Sequence, residues 1–185
     1  MSTSLAIIIA VVVVVVALIA AGVYVYMQNQ RTKRLQGRFG PEYQRTLEET
    51  GDKQKAEAKL YKLEKRVDSF AIRALAPEER ARYVSSWQRV QAEFVDRPGE
   101  AVGHADELLG SVMSARGYPV SDFEQRAADL SVDHPRVVQN YRAAHAIAVK
   151  RGETDTEALR QAMIHYRALF ADLVDEPQLA HAKAS

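Results

Sequence analysis

The chain has 185 residues, 47% apolar and 26% charged, with 25 Lys and Arg against 24 Asp and Glu and no cysteine. All of the charge lies after residue 27, so an oily N-terminal stretch precedes a distal part with the composition of a water-soluble domain. No second stretch is long enough to cross a bilayer, which excludes a polytopic membrane protein. The lack of cysteine excludes a disulfide scaffold and a thiolate zinc site, and the length argues against a two-domain enzyme.

Leu5 to Met27 departs from aliphatic character only at Gly22, Tyr24 and Tyr26. As a helix this stretch covers roughly 34 Å, enough to cross about 30 Å of hydrocarbon. Val11 to Val16 is β-branched, yet in lipid the backbone must satisfy its own hydrogen bonds, so helix is expected. The two tyrosines suit the interface. Four basic residues follow, Arg31, Lys33, Arg34 and Arg38, with no acid before Glu42. The positive-inside rule then puts the distal part in the cytoplasm, beneath an inner (plasma) membrane crossed once. A cleaved signal peptide fits less well: the basic n-region is missing, the apolar run is too long, and no clean cleavage site follows. The same basic residues have a second reading, a cluster that attracts anionic lipid.

Charge is uneven beyond the anchor. Residues 28–68 sum to +4 and residues 69–185 to −3. The expected organisation is an anchor over 1–27, a basic juxtamembrane linker over 28–41, a helical domain over 42–175 and a flexible tail over 176–185. Gly37 to Pro41 breaks the membrane helix or its extension, and Pro41 suits the first turn of a new one. Strong helix formers then run to about Phe70, with Gly51 as a split or a weak point. Leu60, Leu63, Val67 and Phe70 keep a 3-4-3 spacing, but two heptads are too few for a coiled coil, so a helix docked on its own domain is an equal expectation.

Pro77 and two acids open the next helix, with Tyr83, Val84, Trp87, Val90, Gln91 and Phe94 as its stripe and Pro98 as its end. A helix from about Glu100 to Arg116 turns Val102, Ala105, Leu108, Leu109, Val112 and Met113 inward, and Gly117-Tyr118-Pro119 stops it. Ser121-x-x-Glu124 reads as a capping box for a short helix to about Leu130. Asp133 then caps a helix with Pro135 in its first turn and Gly152 past its end. A second capping box, Thr154-x-x-Glu157, starts a last helix to about Val174, with Leu159, Met163, Tyr166, Leu169, Phe170 and Leu173 inward and Pro177 as its stop.

No segment alternates with period two. The fold class is therefore all-α: an N-terminal transmembrane helix followed by a compact bundle of five to seven helices, with alanine at the crossings. Motifs for nucleotide, hydrolase or zincin chemistry are absent, and no E-x-x-H occurs. No cofactor, metal or nucleic acid is expected, since the net charge is only +1. The residues most able to carry an interaction are Asp133, His134, Tyr141, Arg142, His145 and His165. Asp133-His134 imitates a catalytic pair, His145 and His165 can face each other across two helices, and Arg136, Arg142 and Arg151 can form an exposed basic group.

Three blocks carry a resemblance: Phe39-Gly-Pro-Glu-Tyr43 with Glu48-Glu-Thr-Gly-Asp52; Arg116-Gly-Tyr-Pro119 through Asp122 to Pro135 and on to Asn140-Tyr-Arg-Ala-Ala-His145; and Leu159 to Phe170. Together they resemble a bacterial family of uncharacterised small, single-pass membrane-anchored helical proteins, over nearly all of residues 38–175. The resemblance implies topology and carries over no catalytic residue. The expected function is a membrane-tethered interaction or scaffold module, bound to the bilayer through residues 5–27 and to an unknown protein or a second copy. The alternatives are a histidine-containing bundle with metal-binding or enzymatic work at His134, His145 and His165, and an anionic-lipid-surface sensor at Arg31 to Arg38.

Overall fold

The structure is a computed structural model that describes residues 3–119, 121–150 and 155–175, with side chains from residue 11 onward. Eight helices and no strand occur among the described residues: α1 Thr3–Phe39, α2 Pro41–Thr50, α3 Lys53–Asp68, α4 Pro77–Asp96, α5 Pro98–Ala115, α6 Phe123–Asp133, α7 Val138–Val149 and α8 Thr156–Asp175. Seven helices thus follow the first. The expected tail, the stops at Gly152 and Pro177, and Thr154 and Arg151 lie outside the described residues.

α1 is long and apolar enough to cross a membrane. Every residue from Val11 to Met27 is exposed. The helix does not end with the apolar run. Residues 28–39, expected as a linker, continue it without a break, and its last turns enter the core at Leu35 and Phe39, 2% and 0% exposed. It stops at Gly40, whose N–H still bonds Gln36 O at 2.9 Å before Pro41 opens α2. α2 and α3 are separate because Gly51 takes a left-handed φ of 64° that closes α2, and Asp52 then caps α3 by accepting from Lys55 N–H.

The core has two parts. The smaller joins α1, α2, α3 and α6 through Leu35, Phe39, Tyr43, Leu60, Val67 and Val132. The α3 seam therefore docks on its own chain, with Leu60 and Val67 buried and Leu63 and Phe70 at the margin. The larger part joins α4, α5, α6, α7 and α8, with α7 antiparallel to α8 and α5 packed on both α4 and α8. Ala101, Ala105, Ala127, Ala144 and Ala162 are fully buried, as close helix crossings require. Trp87 stacks on Phe170 at 4.8 Å and 16°, a contact worth about 0.5–1.5 kcal/mol beyond its area. The predicted α8 stripe is buried at every position, whereas Gln91, counted in the α4 stripe, is exposed.

Three boundaries differ from the sequence reading. Pro98 begins α5 rather than merely ending α4, because its missing N–H costs nothing at a first helical position. Asp122, not Ser121, caps α6, accepting from Gln125 N–H at 2.9 Å, just as Asp155 accepts from Ala158 N–H at 2.7 Å at the start of α8. Asp133 caps nothing: it is the last residue of α6. His134 precedes a proline and is thereby driven out of helical backbone, so α7 starts only at Val138.

Residues 69–76 cross between the two core parts, and Phe70 and Ile72 pack against both. This crossing is stitched to the end of α5. Arg73 N–H donates to Arg116 O at 2.8 Å, and the Arg116 guanidinium donates to Arg73 O and to Leu173 O.

Candidate functional site

Polar groups gather at three places. The first lies inside the larger helix group, around Asp106 of α5. Tyr166 of α8 donates its hydroxyl to Asp106 Oδ1 at 3.2 Å, and His145 Nδ1 of α7 lies 3.8 Å from the same oxygen. Arg126 of α6 approaches Oδ2 at 3.7 Å. The Tyr141 hydroxyl and Arg126 Nε are buried with no hydrogen-bond partner. Phe123 stacks face to face on His145 at 3.5 Å, and a cavity of about 150 Å³ opens beside Asp106, His145, Ala148 and Val149. His145 is thus paired with α5. His165, half-buried on α8, joins no hydrogen bond or ion pair among the described residues.

Burial, and then the Asp106 carboxylate, push the Tyr141 and Tyr166 phenols well above their ordinary value; burial also raises Tyr43, helped by Glu57. These phenols hold their protons, and Tyr43 and Tyr166 donate them to Glu57 and Asp106. No nucleophile–base pair results, and the arrangement serves best to lock α5, α7 and α8 in register. Groups whose folded pKa is raised stabilise the fold fully below the unfolded value near 10, and that contribution is lost as pH rises beyond it. In an ultraviolet titration, Tyr43, Tyr141 and Tyr166 are therefore expected to ionise only together with loss of helical circular dichroism. Smooth ionisation of all eight tyrosines in a chain that stays folded would contradict the burial.

The second place joins α6, α7 and α8 to their neighbours. His134, 2% exposed at its side chain, does not pair with Asp133. Its Nδ1 donates to Asp172 of α8 at 2.5 Å, and this bond holds the Asp172 carboxyl below its usual range despite partial burial. Asp133 instead receives the Tyr118 hydroxyl at 3.5 Å and lies 3.7 Å from Arg38. Arg142 is not part of an exposed basic group: at 14% side-chain exposure it bridges Glu42 of α2 at 3.0 Å and Glu124 of α6 at 2.7 Å. Arg136 alone of that expected group is exposed among the described residues.

The third place is where α1 enters the domain. The basic run after the apolar stretch is largely turned onto α3. Glu64, 1% exposed, receives Arg34 at 2.5 Å and Arg38 at 2.6 Å on one oxygen. Arg38 reaches on to Asp68 at 3.3 Å. Glu57, also buried, accepts from Thr32 at 2.7 Å and Tyr43 at 3.2 Å. Arg31 lies over the Tyr61 ring at 5.2 Å, with Lys65 at 5.7 Å from the same ring. Lys33 stays exposed.

Sequence reasoning missed the acids Glu57, Glu64, Asp106 and Asp172. For the first two a signal existed. Glu57, Leu60, Glu64 and Val67 repeat the 3-4-3 seam, so two carboxylates stand at core positions and demand basic partners. Asp106 and Asp172 are 39 and 38 residues from the histidines they meet, with no local signal. Among the described residues no group of three or more His, Asp or Glu is placed to hold a metal ion.

Comparison with family models, with curated proteins and with solved structures finds no match for the chain.

Proposed function

We propose that the chain is a single-pass membrane protein, of the bacterial type its sequence resembles, whose helical domain is held at the cytoplasmic face as a protein-interaction or scaffold module. The supporting observation is the course of α1, which passes without a break from a fully exposed apolar stretch to side chains sealed in the domain core. Such a helix suits presentation of a domain at a set distance from a bilayer. The bias of Arg31, Lys33, Arg34 and Arg38 supports the cytoplasmic side. His134, Tyr43 and Tyr166 are bound to acids of neighbouring helices, structural contacts that favour interaction over catalysis.

Two measurements test this. A C-terminal reporter that fluoresces only in the cytoplasm is expected to light up, and one active only outside to stay silent; the reverse overturns the orientation. Photo-crosslinking from exposed positions on α4 and α7 in the full chain is expected to give a discrete protein adduct or a dimer. A chain that crosslinks to nothing but lipid overturns the interaction role.

A further inference from the structure

We infer that the groove between α1 and α3 at the membrane boundary binds the phosphate of an anionic phospholipid headgroup, with Arg31 and Arg34 as its cationic ligands and Tyr61 as its aromatic wall. The inference rests on the reading of α1 as a membrane span. The groove has a volume of about 630 Å³ and is lined by Gln30, Arg31, Arg34, Leu35, Tyr61 and Glu64.

Its depth fits. At about 1.5 Å per residue, Arg31 stands roughly 6 Å and Arg34 roughly 10 Å beyond Met27, the last residue of the apolar run. The headgroup layer is about 5–7 Å thick on each side of the hydrocarbon, within reach of both side chains. Tyr61 lies at the same depth because Arg31 covers its ring, and it is 42% exposed, as an interfacial aromatic is.

The charge fits as well. Glu64 is the only acid in the lining, and its paired oxygen is shared by Arg34 and Arg38, so positive charge is in excess; Lys65, 5.7 Å from the centre of the Tyr61 ring, adds to it. Arg34 spends one N–H on Glu64 and keeps its side chain 64% exposed. The remaining donors of its planar fork match two oxygens of one phosphate. Arg31 makes no ion pair among the described residues, so its whole charge is available.

A diffuse attraction of the basic run to anionic lipid would give a similar gross preference, and Lys33 separates the two. It shares the run and its charge but lies outside the groove. The full chain is reconstituted in phosphatidylcholine vesicles, and alkaline carbonate washing first establishes that it is inserted. Immobilisation of spin-labelled phosphatidylglycerol is then compared with that of spin-labelled phosphatidylcholine. Wild type is expected to prefer phosphatidylglycerol about five-fold or more, and Arg31→Gln to cut that preference about five-fold, the effect of one cation at a membrane surface. Tyr61→Ala, which removes no charge, is expected to lower it too, whereas Lys33→Gln leaves it within about two-fold.

No preference in wild type, or an equal loss from Lys33→Gln and Arg31→Gln, overturns the groove. Abolition of the preference by inorganic phosphate assigns the site to a soluble anion and overturns the lipid. A chain washed off by carbonate instead defeats the membrane-span reading, before any lipid is compared.

Discussion

Replacing Phe39 by alanine is expected to cost about 3–5 kcal/mol, a large share of the 5–15 kcal/mol that holds an ordinary domain together. The ring is 0% exposed at the last turn of α1, and it belongs to the small core that docks α1 on α3 and α6. Few apolar neighbours are available to collapse into the space, because among the described residues that core has six buried apolar side chains, Phe39 included. Urea unfolding of the full chain in micelles, followed by Trp87 emission and by helical circular dichroism, measures the effect. Trp87 sits in the other core, yet its transition is expected to move with the helical signal. Phe70 and Ile72 pack on both cores, and α6 contributes Leu130 to one and Val132 to the other. A Trp87 transition that stays at its wild-type position while part of the helical signal is lost early would show that the two cores melt independently.

Gly117→Ala is expected to destabilise by roughly 3 kcal/mol or more. Gly117 has φ +97°, where a side chain costs about 1–3 kcal/mol. An added Cβ would also stand 2.4 Å from Ala71 O and 3.0 Å from its carbonyl carbon, both backbone atoms that cannot rotate away. Relief requires moving the 69–76 crossing, which would break the Arg73–Arg116 backbone bond, worth about 1 kcal/mol. Gly99→Ala is the natural contrast. Gly99 lies in α5 with nothing within 4 Å of the added carbon, so alanine is expected to stabilise by a few tenths to 1 kcal/mol. Thermal midpoints of the two variants should therefore move in opposite directions; a tolerated Gly117→Ala would refute the close approach to Ala71.

The helices themselves were legible because their signals are local. Proline at a first turn placed the starts of α2 and α4, and the three-and-four spacing of Leu159 through Leu173 placed the buried face of α8. Errors arose where two local signals sat side by side. Ser121-Asp122 offers two good caps in succession, and the Asp nearer the helix acts, its charge favoured by the helix N-terminus. Pro98 is equally a stop and a start. The polar sites were legible only by half. His134, Arg142 and His145 stand out in the sequence, but the acids that define their roles, Asp172, Glu42 and Asp106, come from remote helices. Their pairing is a product of packing. The same holds for Arg34 and Arg38, whose positions read as a flank for lipid until Glu64 is seen beneath them.

On the membrane-spanning course proposed for α1, which has no hinge between the apolar run and Leu35, the domain's compass bearing about the membrane normal is written as a screw phase. Deleting one residue between Gln28 and Gln30 would swivel everything beyond it by about 100° and draw it about 1.5 Å nearer the bilayer. Inserting seven would lift it about 10 Å while restoring the bearing to within about 20°. Spacing and azimuth are thus inseparable here, so any partner confined to the same membrane would meet a different flank of the molecule after a single-residue change that alters none of its surface.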